Sequence, residues 1–547
     1  MFLVENPVLQ RELLTNLRAS RSFVLMLLYQ LALAAVLLTA YPSGQRVDLT
    51  SDSPAASQLV DFFFLGQYII ASLMAPTFAA GAICGEKERK TYEMLLASPL
   101  HPWSIVIGKM VASLTHLAVL IVASLPIIML ALPLGGVSIY EVLAAYLWLI
   151  VSVILFGSIG LACSSGFRRT ASSLVVSYLL ILPLVLLGGL FWQGLRSNGS
   201  LRLQIATFVL PPVFLVISFL LCRWTAHRLL YPPDVGSEGK EVVDLEQESK
   251  EAIGMVIQRD QFPDRLFAPP RRTTLMHDNA NPVYDKEIHA ELFSQGTLML
   301  RLVIQISMLL AIPMMAATLF YLDSDQPPVL CPWYICFVLI FNILVAPVFS
   351  AGSLTSERER QTFELLLTTV LAPRQIMWGK LLAGFRVSYV LTMFLMWPVV
   401  LAYFFAFQFY FAISLSILTF FLLVFVSAVF NSVSAMLCSA LCRRTSVAMI
   451  MSYALLIAVY FLPVAAWYLG TSVSDNNRVV ESLKWLGTGS PLMTAFWVPL
   501  SNNLQATGVV DGWFMVLRYM LFNAVVIVCM TLAISIILQK RIGMTGR

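Results

Sequence analysis

Long apolar runs separated by short polar stretches dominate the chain. About 20 apolar residues let one helix cross a bilayer, and twelve runs reach or approach that length. Since backbone groups find no water inside lipid, such continuous runs favour helices over strands. The sequence therefore predicts an all-α polytopic membrane protein. Its predicted spans are residues 23–40, 62–84, 105–132, 139–161, 172–191, 205–222, 298–321, 333–353, 376–404, 411–437, 447–468 and 514–538.

The second half of the chain repeats the first. Six spans per half is an even number, so both halves enter the membrane in the same direction, as in parallel repeats. The sequence thus predicts two homologous six-helix halves in parallel orientation, fused into one chain. The matched pairs include Asn6-Pro7-Val8 with Asn281-Pro282-Val283, Glu12 with Glu287, Ala75-Pro76 with Ala346-Pro347, Arg168-Arg169-Thr170 with Arg443-Arg444-Thr445, and Ser177-Tyr178 with Ser452-Tyr453.

A polar region separates the two halves. Residues 1–223 form the first predicted half, 224–280 a cytoplasmic linker with two Pro-Pro pairs, and 281–547 the second half. The linker is too poor in apolar residues to build its own core. Residues 470–512 form a longer outer loop, in which Pro491 and Pro499 indicate short helices or a re-entrant turn.

Positive residues determine the predicted orientation. The positive-inside rule places the side that collects them, together with both termini, in the cytoplasm. We expect an integral membrane protein of the bacterial inner (plasma) membrane. The residues on this side are Arg11, Arg18, Arg21, Lys87, Arg89, Lys90, Arg168, Arg169, Arg223, Arg228, Arg358, Arg360, Arg374, Arg443, Arg444, Lys540 and Arg541.

Composition agrees with a protein that lives in lipid. Of the 547 residues, 59% are hydrophobic and 12% are charged, whereas soluble domains carry about 25% charged residues. The net charge is +5, and the positive residues cluster at the ends of the predicted spans. This favours contact with lipid headgroups and argues against a nucleic-acid partner.

A charged segment lies between the second and third spans of each half. Residues 86–96 read Glu-Lys-Glu-Arg-Lys-Thr-Tyr-Glu-Met-Leu-Leu, and residues 357–367 read Glu-Arg-Glu-Arg-Gln-Thr-Phe-Glu-Leu-Leu-Leu. On a helix, Tyr92, Leu95 and Leu96 would share a face, which predicts an interfacial helix with its charges in the cytosol. A loop whose charges only set topology is the alternative, but recurrence in both halves favours a functional segment.

Two further features are duplicated at the cytoplasmic side. Asn6-Pro7 and Asn281-Pro282 predict capped helix starts, and the apolar stripes that follow indicate amphipathic helices along the inner leaflet, either plain anchors or contacts for a partner. Gly108-Lys109 and Gly379-Lys380 follow the charged segments. Because a charge inside lipid is costly, these lysines and Arg386 are predicted to snorkel to the inner interface.

The two segments, six spans per half and the following Gly-Lys pairs resemble the permease subunits of ABC type-2 exporters. The resemblance covers nearly the whole chain, once per half. In that family the segment forms a coupling helix in a groove of a separate ABC ATPase subunit, so two ATPase copies are implied here. The family often has glycine before the threonine, where this chain has Lys90 and Gln361. The implied ATPase-coupling residues are Glu86, Lys87, Glu88, Arg89, Thr91, Glu93, Glu357, Arg358, Glu359, Arg360, Thr362 and Glu364.

Motifs for catalysis are absent from the sequence. There is no Gly-x-x-x-x-Gly-Lys-[Ser/Thr] phosphate loop, no His-Glu-x-x-His and no Gly-x-Ser-x-Gly. We therefore expect no enzymatic activity, no cofactor and no metal in this chain, with ATP hydrolysis in the partner. The predicted function is the permease of an ATP-driven exporter of an amphipathic substrate. A secondary transporter driven by an ion gradient and a non-transporting sensor or scaffold are the alternatives.

Overall fold

The computed structural model describes most of the predicted spans. The described residues are 7–17, 27, 29–31, 33–34, 54–88, 90–129, 138–167, 170–194, 199–230, 281–289, 303–310, 312, 330–359, 361–369, 371–405, 414–442, 445–473, 485, 487–499 and 509–545. They contain helices and turns and no strand, and ten of their helices are long and apolar enough to cross a membrane. The protein is therefore an all-α polytopic membrane protein, as predicted. The predicted spans 23–40 and 298–321 lie largely outside the described residues, as does 231–280 of the predicted linker.

The chain divides into two compact units, Met1–Lys240 and Glu241–Arg547. The helices of the first unit are α1 (Pro7–Leu17), α2 (Pro54–Ala79), α3 (Gly81–Glu88), α4 (Tyr92–Leu96), α5 (Pro102–Ala123), α6 (Leu125–Met129), α7 (Ile139–Gly166), α8 (Thr170–Gly194), α9 (Gly199–Gln204) and α10 (Leu210–Leu230). A π turn, Ile205–Val209, joins the last two. Helix α10 continues past the predicted linker boundary at residue 224.

The second unit repeats this order. Its helices are α11 (Pro282–His289), α12 (Leu330–Ser350), α13 (Gly352–Glu359), α14 (Phe363–Leu367), α15 (Pro373–Leu395), α16 (Trp397–Phe405), α17 (Ser414–Leu441), α18 (Thr445–Val473), α19 (Pro491–Trp497) and α20 (Val509–Thr545). Helix α19 is the short helix predicted in the outer loop, and its first five residues are buried against the spans.

The fourth span, α7, lies at the centre of the first unit, where it packs on α2, α5, α8 and α10. Small residues allow the close approach that membrane helices need. At Gly160, an added Cβ would lie only 2.9 Å from the Ala79 Cβ of α2. Helix packing here therefore depends on the absence of a side chain.

Buried amides join the corresponding spans of the second unit. The Asn431 amide donates to Asn342 Oδ1 at 2.7 Å, and Asn342 donates to Thr392 Oγ1 at 2.8 Å. Tyr460 completes the network by donating to Asn431 Oδ1 at 2.7 Å. All four side chains are fully buried, so four spans are connected by polar groups that have no access to water.

Prolines mark the interruptions of the third span. Helix α5 ends before Pro126 and α15 ends before Pro398, with Ser124 and Met396 as the break residues. Proline lacks an amide hydrogen and its ring displaces the carbonyl four residues back, so the regular helical bond fails there. Both units are therefore interrupted at the corresponding place of their third span.

Candidate coupling site

The charged segment of each unit is not one helix. Helices α3 and α4 are separated by Lys90, whose φ is +58°, and α13 and α14 by Gln361, whose φ is +59°. This left-handed conformation favours glycine. The predicted interfacial helix is therefore divided into two helices. The break falls at the residue before the threonine, where the permeases that the sequence resembles often carry glycine.

Backbone bonds close this break in the form of a Schellman motif. The Thr91 amide donates to the Glu86 carbonyl at 3.0 Å, and the Lys90 amide donates to the Lys87 carbonyl at 3.2 Å. This six-to-one and five-to-two pairing satisfies the last carbonyls of a helix. It turns the chain so that α4 leaves α3 at a fixed angle.

The second unit forms the same motif. The Thr362 amide donates to the Glu357 carbonyl at 2.9 Å, and the Gln361 amide donates to the Arg358 carbonyl at 3.1 Å. The threonine hydroxyl of each copy also donates to the carboxylate of the glutamate that opens the segment. Thr91 and Thr362 therefore stabilise the turn rather than present a hydroxyl outward.

A buried lysine joins the first segment to α1 and α5. Lys109 is 2% exposed, and its Nζ lies 3.1 Å from Glu12 Oε1 and 3.6 Å from Glu86 Oε1. Glu12 belongs to α1 and Glu86 to α3. One ammonium ion thus holds the amphipathic helix, the charged segment and the third span together.

The second unit repeats this arrangement and adds a second lysine beside Glu357. Lys380, also 2% exposed, donates to Glu287 of α11 and lies 3.2 Å from Glu357 Oε1. Lys286 approaches the same Glu357 oxygen at 3.4 Å from a largely exposed position. The prediction that Lys109 and Lys380 snorkel to the interface is wrong, because both ammonium ions are buried and ion-paired.

The Gly-Lys pair also explains how the amphipathic helix docks. At Gly379, an added Cβ would lie 2.9 Å from Val283 Cβ and 3.0 Å from the Tyr284 amide nitrogen of α11. Asn281 caps α11 by accepting from the Val283 amide at 3.0 Å, and its own amide donates to the Gln375 carbonyl at 2.7 Å. The predicted N-cap is confirmed at Asn281, and Asn6 lies outside the described residues. Helix α11 is thus fixed to the third span of its unit.

Further charged residues of the segment also bind within their unit. Lys87 and Glu88 contact the ends of α7 and α8, and Arg358 and Glu359 contact the ends of α17 and α18. Arg89 and Arg360 lie outside the described residues, and so does the side chain of Glu364.

The short helices α4 and α14 pack one side on the bundle. Tyr92 and Leu95 contact a cluster that includes Ile105 and Leu229, and Phe363 is buried beside Met377. Partial burial raises the pKa of the Tyr92 phenol. The apolar sides of both helices therefore lie on their own unit.

The other side of these helices is open. Glu93 and Lys90 are exposed, Met94 is 76% exposed, and Leu365, at the matching place in the second unit, is 71% exposed. Met94 and Leu365 were not among the predicted coupling residues, because an i, i+3, i+4 pattern assigns importance to the buried face. Their equivalent positions in the two copies could have identified them.

A family model described as "ABC-2 family transporter protein" matches the chain twice, over residues 7–207 and 206–541. The two matches include both copies of the charged segment and both buried lysines. No curated protein matches the chain.

Proposed function

The chain belongs to the ABC-2 family of transporter proteins, and we propose that it is the permease of an ATP-driven exporter. Members of this family are membrane components of transporters, are not themselves catalytic, and generally pair with an ABC ATPase subunit. In this proposal one fused chain provides both permease halves, residues 1–223 and 281–547 joined by 224–280. A separate ATPase, in two copies, binds on the cytoplasmic side.

One observation supports this function above the others: the same segment is built and oriented alike in both units. Its first half is held by ion pairs and by contacts to helix ends. Its second half directs an exposed apolar side chain, Met94 or Leu365, away from the unit. A docking element needs an exposed contact surface and a rigid attachment, because a flexible loop would deform under force instead of moving the spans. The rigid attachment makes the segment suited to transmit motion.

The proposed cycle follows from this attachment. When two ATPase subunits close on nucleotide, they draw the two charged segments, residues 86–96 and 357–367, toward each other. We call these the coupling segments. Each segment moves α1 or α11 and the base of the third span with it, because Lys109 and Lys380 bind all three. The halves then rock and open a path for an amphipathic substrate toward the outside of a bacterial inner membrane, with both termini in the cytoplasm.

The secondary-transporter alternative requires an ionisable group that can gain and lose its ion near the middle of the membrane. Within the described residues, Asp61 is the buried carboxylate of the spans. It lies 2.9 Å from Arg202 Nη1 and accepts from Trp192 Nε1 at 3.0 Å. A fixed arginine already neutralises this carboxylate, which supports the exporter over an ion-driven carrier.

Co-purification tests the proposal. The tagged full chain is extracted from its host in mild detergent, the associated proteins are identified, and their ATP hydrolysis is measured. We expect a stoichiometric subunit with a phosphate-loop motif, lost from the double variant Met94→Asp/Leu365→Asp and kept by the volume-conserving control Met94→Leu/Leu365→Met. A chain that purifies without any ATPase, or an aspartate variant that retains it fully, would contradict the proposal.

A further inference from the structure

Each coupling segment contains a basic–acidic dipeptide, Lys87-Glu88 in the first unit and Arg358-Glu359 in the second. It lies where the fourth span ends and the fifth begins. Lys87 Nζ donates to the Ser165 carbonyl at 2.7 Å and to the Phe167 carbonyl at 3.1 Å. These carbonyls belong to the last residues of α7 and the residue that follows it.

Arg358 does the same at the end of α17. Its Nη2 donates to the Ala440 carbonyl at 2.9 Å, and its Nη1 donates to the carbonyls of Ser439, at 3.3 Å, and Cys442. The last carbonyls of a helix carry partial negative charge, so a cation is favourable there. Lysine and arginine thus perform one role in the two copies.

The acidic member of each dipeptide binds the next helix. Glu88 Oε1 accepts from the Thr170 amide at 2.8 Å and from its hydroxyl at 3.0 Å, at the first residue of α8. Glu359 accepts from the Thr445 amide at 2.9 Å and from its hydroxyl at 2.8 Å, at the first residue of α18. A carboxylate is favourable at a helix N-terminus. The order of the two charges therefore matches both helix ends at once.

A serine of the fourth span strengthens this attachment. Ser164 Oγ accepts from the Ile83 and Cys84 amides, both at 2.9 Å. In the second unit Ser439 Oγ accepts from the Leu354 and Thr355 amides at 3.1 and 3.2 Å. These amides lie in the first turn of α3 and α13, where no intrahelical carbonyl is available. Both ends of the first helix of each segment are thus bonded to the fourth-to-fifth span connection.

We propose that Lys87-Glu88 and Arg358-Glu359 are positioning pairs that make the start of the fifth span follow the coupling segment. The inference rests on the proposed function. It adds a second route for the ATPase motion, separate from the buried lysines, which lead to α1, α11 and the third span. In this account the four charged side chains act inside the permease and do not contact the ATPase.

A charge-order inversion tests this proposal. The quadruple variant Lys87→Glu/Glu88→Lys/Arg358→Glu/Glu359→Arg keeps the net charge but places the unfavourable sign at every helix end. A fluorophore on Ile457→Cys, an exposed position in the middle of α18, reports movement of the fifth span in the complex of full chain and ATPase. The exposed Cys529 is first replaced by serine. The signal is the fluorescence change on adding ATP with vanadate.

We expect the inverted variant to keep the ATPase subunit and its basal hydrolysis, while the nucleotide-dependent change falls at least fivefold. The conservative exchange Lys87→Arg/Arg358→Lys should retain the full change, because both cations still reach the carbonyls. If the inverted variant does not fold, Glu88→Gln/Glu359→Gln takes its place. It removes the negative charges, keeps the shape of both side chains and should reduce the nucleotide-dependent fluorescence change at least twofold.

The outcomes separate the two proposals. A charge-altered variant that folds and responds like the wild type overturns this inference alone. An inverted variant that folds but no longer binds the ATPase subunit also overturns this inference, because the charges would then contact the partner. A wild-type chain that binds no ATPase overturns the proposed function and this inference with it.

Discussion

Replacement of Lys380 by methionine removes a buried cation from between two carboxylates. The Lys380 ammonium donates to Glu287 and lies 3.2 Å from Glu357 Oε1. Methionine is similar in length, so the space stays filled while the carboxylates lose their shared counter-ion. Removal of one partner from a buried ion pair costs about 3–5 kcal/mol. Because Glu287 and Glu357 retain 22% and 13% exposure, we expect a loss at the lower end of this range.

Thermal unfolding of the purified full chain in detergent measures this effect. Lys380→Met should lower the melting temperature by several degrees. Lys286→Met is the matched control: its side chain is 65% exposed and its pair with Glu357 is at 3.4 Å, and such surface pairs contribute about 0–1 kcal/mol. It should melt close to the wild type.

A second substitution shows whether charge or packing is responsible. Glu287→Gln added to Lys380→Met removes one of the two carboxylates that share Lys380, while Glu357 keeps Lys286 at 3.4 Å, so about half of the lost stability should return. If Lys380→Met melts with the wild type, the ion pairs do not hold the site. If the double variant melts below the single variant, the Glu287 carboxylate without Lys380 is not the cause of the lost stability.

Three other substitutions are expected to change the melting temperature in defined directions. Gln361→Gly should stabilise by about 1 kcal/mol, because glycine tolerates the left-handed φ of +59°, and a lower melting temperature would contradict this assignment. Gly379→Ala should destabilise by about 1–3 kcal/mol, since the new Cβ would lie 2.9 Å from a side chain of α11. Gly352→Ala, with open space around it, is its control and should melt like the wild type. Asn431→Leu should cost about 1–3 kcal/mol by leaving Asn342 and Tyr460 without this partner, and unchanged melting would show that the amide network is dispensable.

Patterns among neighbouring residues predicted the positions of the helices well. The runs of apolar residues predicted the described spans, and Pro102 and Pro373 stand at the first position of α5 and α15, where proline is favoured. These features depend on residues that are neighbours in sequence. The turn at Lys90 and Gln361 was missed because neither residue prefers positive φ, so the sequence at this point carries no local preference for the turn.

Long-range partners account for the remaining differences. Lys109 pairs with Glu12 across 97 positions, and Lys380 with Glu287 across 93. Viewed alone, a lysine near the end of a span is most cheaply placed at the interface, so snorkelling was predicted. Asn342 and Asn431 are likewise distant in sequence, because their hydrogen bond joins residues 89 positions apart. Only the packed bundle brings such groups together.

The contact between the coupling segments and an ATPase is the central claim, and site-specific photo-crosslinking in intact cells tests it most directly. A photoreactive residue is placed at position 94 or 365, with position 216 on the exposed side of α10 as the control. We expect positions 94 and 365 each to give an adduct with a protein that carries a phosphate-loop motif, and position 216 to give none with it. Failure of both segment positions to capture such a protein, or equal capture at position 216, would contradict the account.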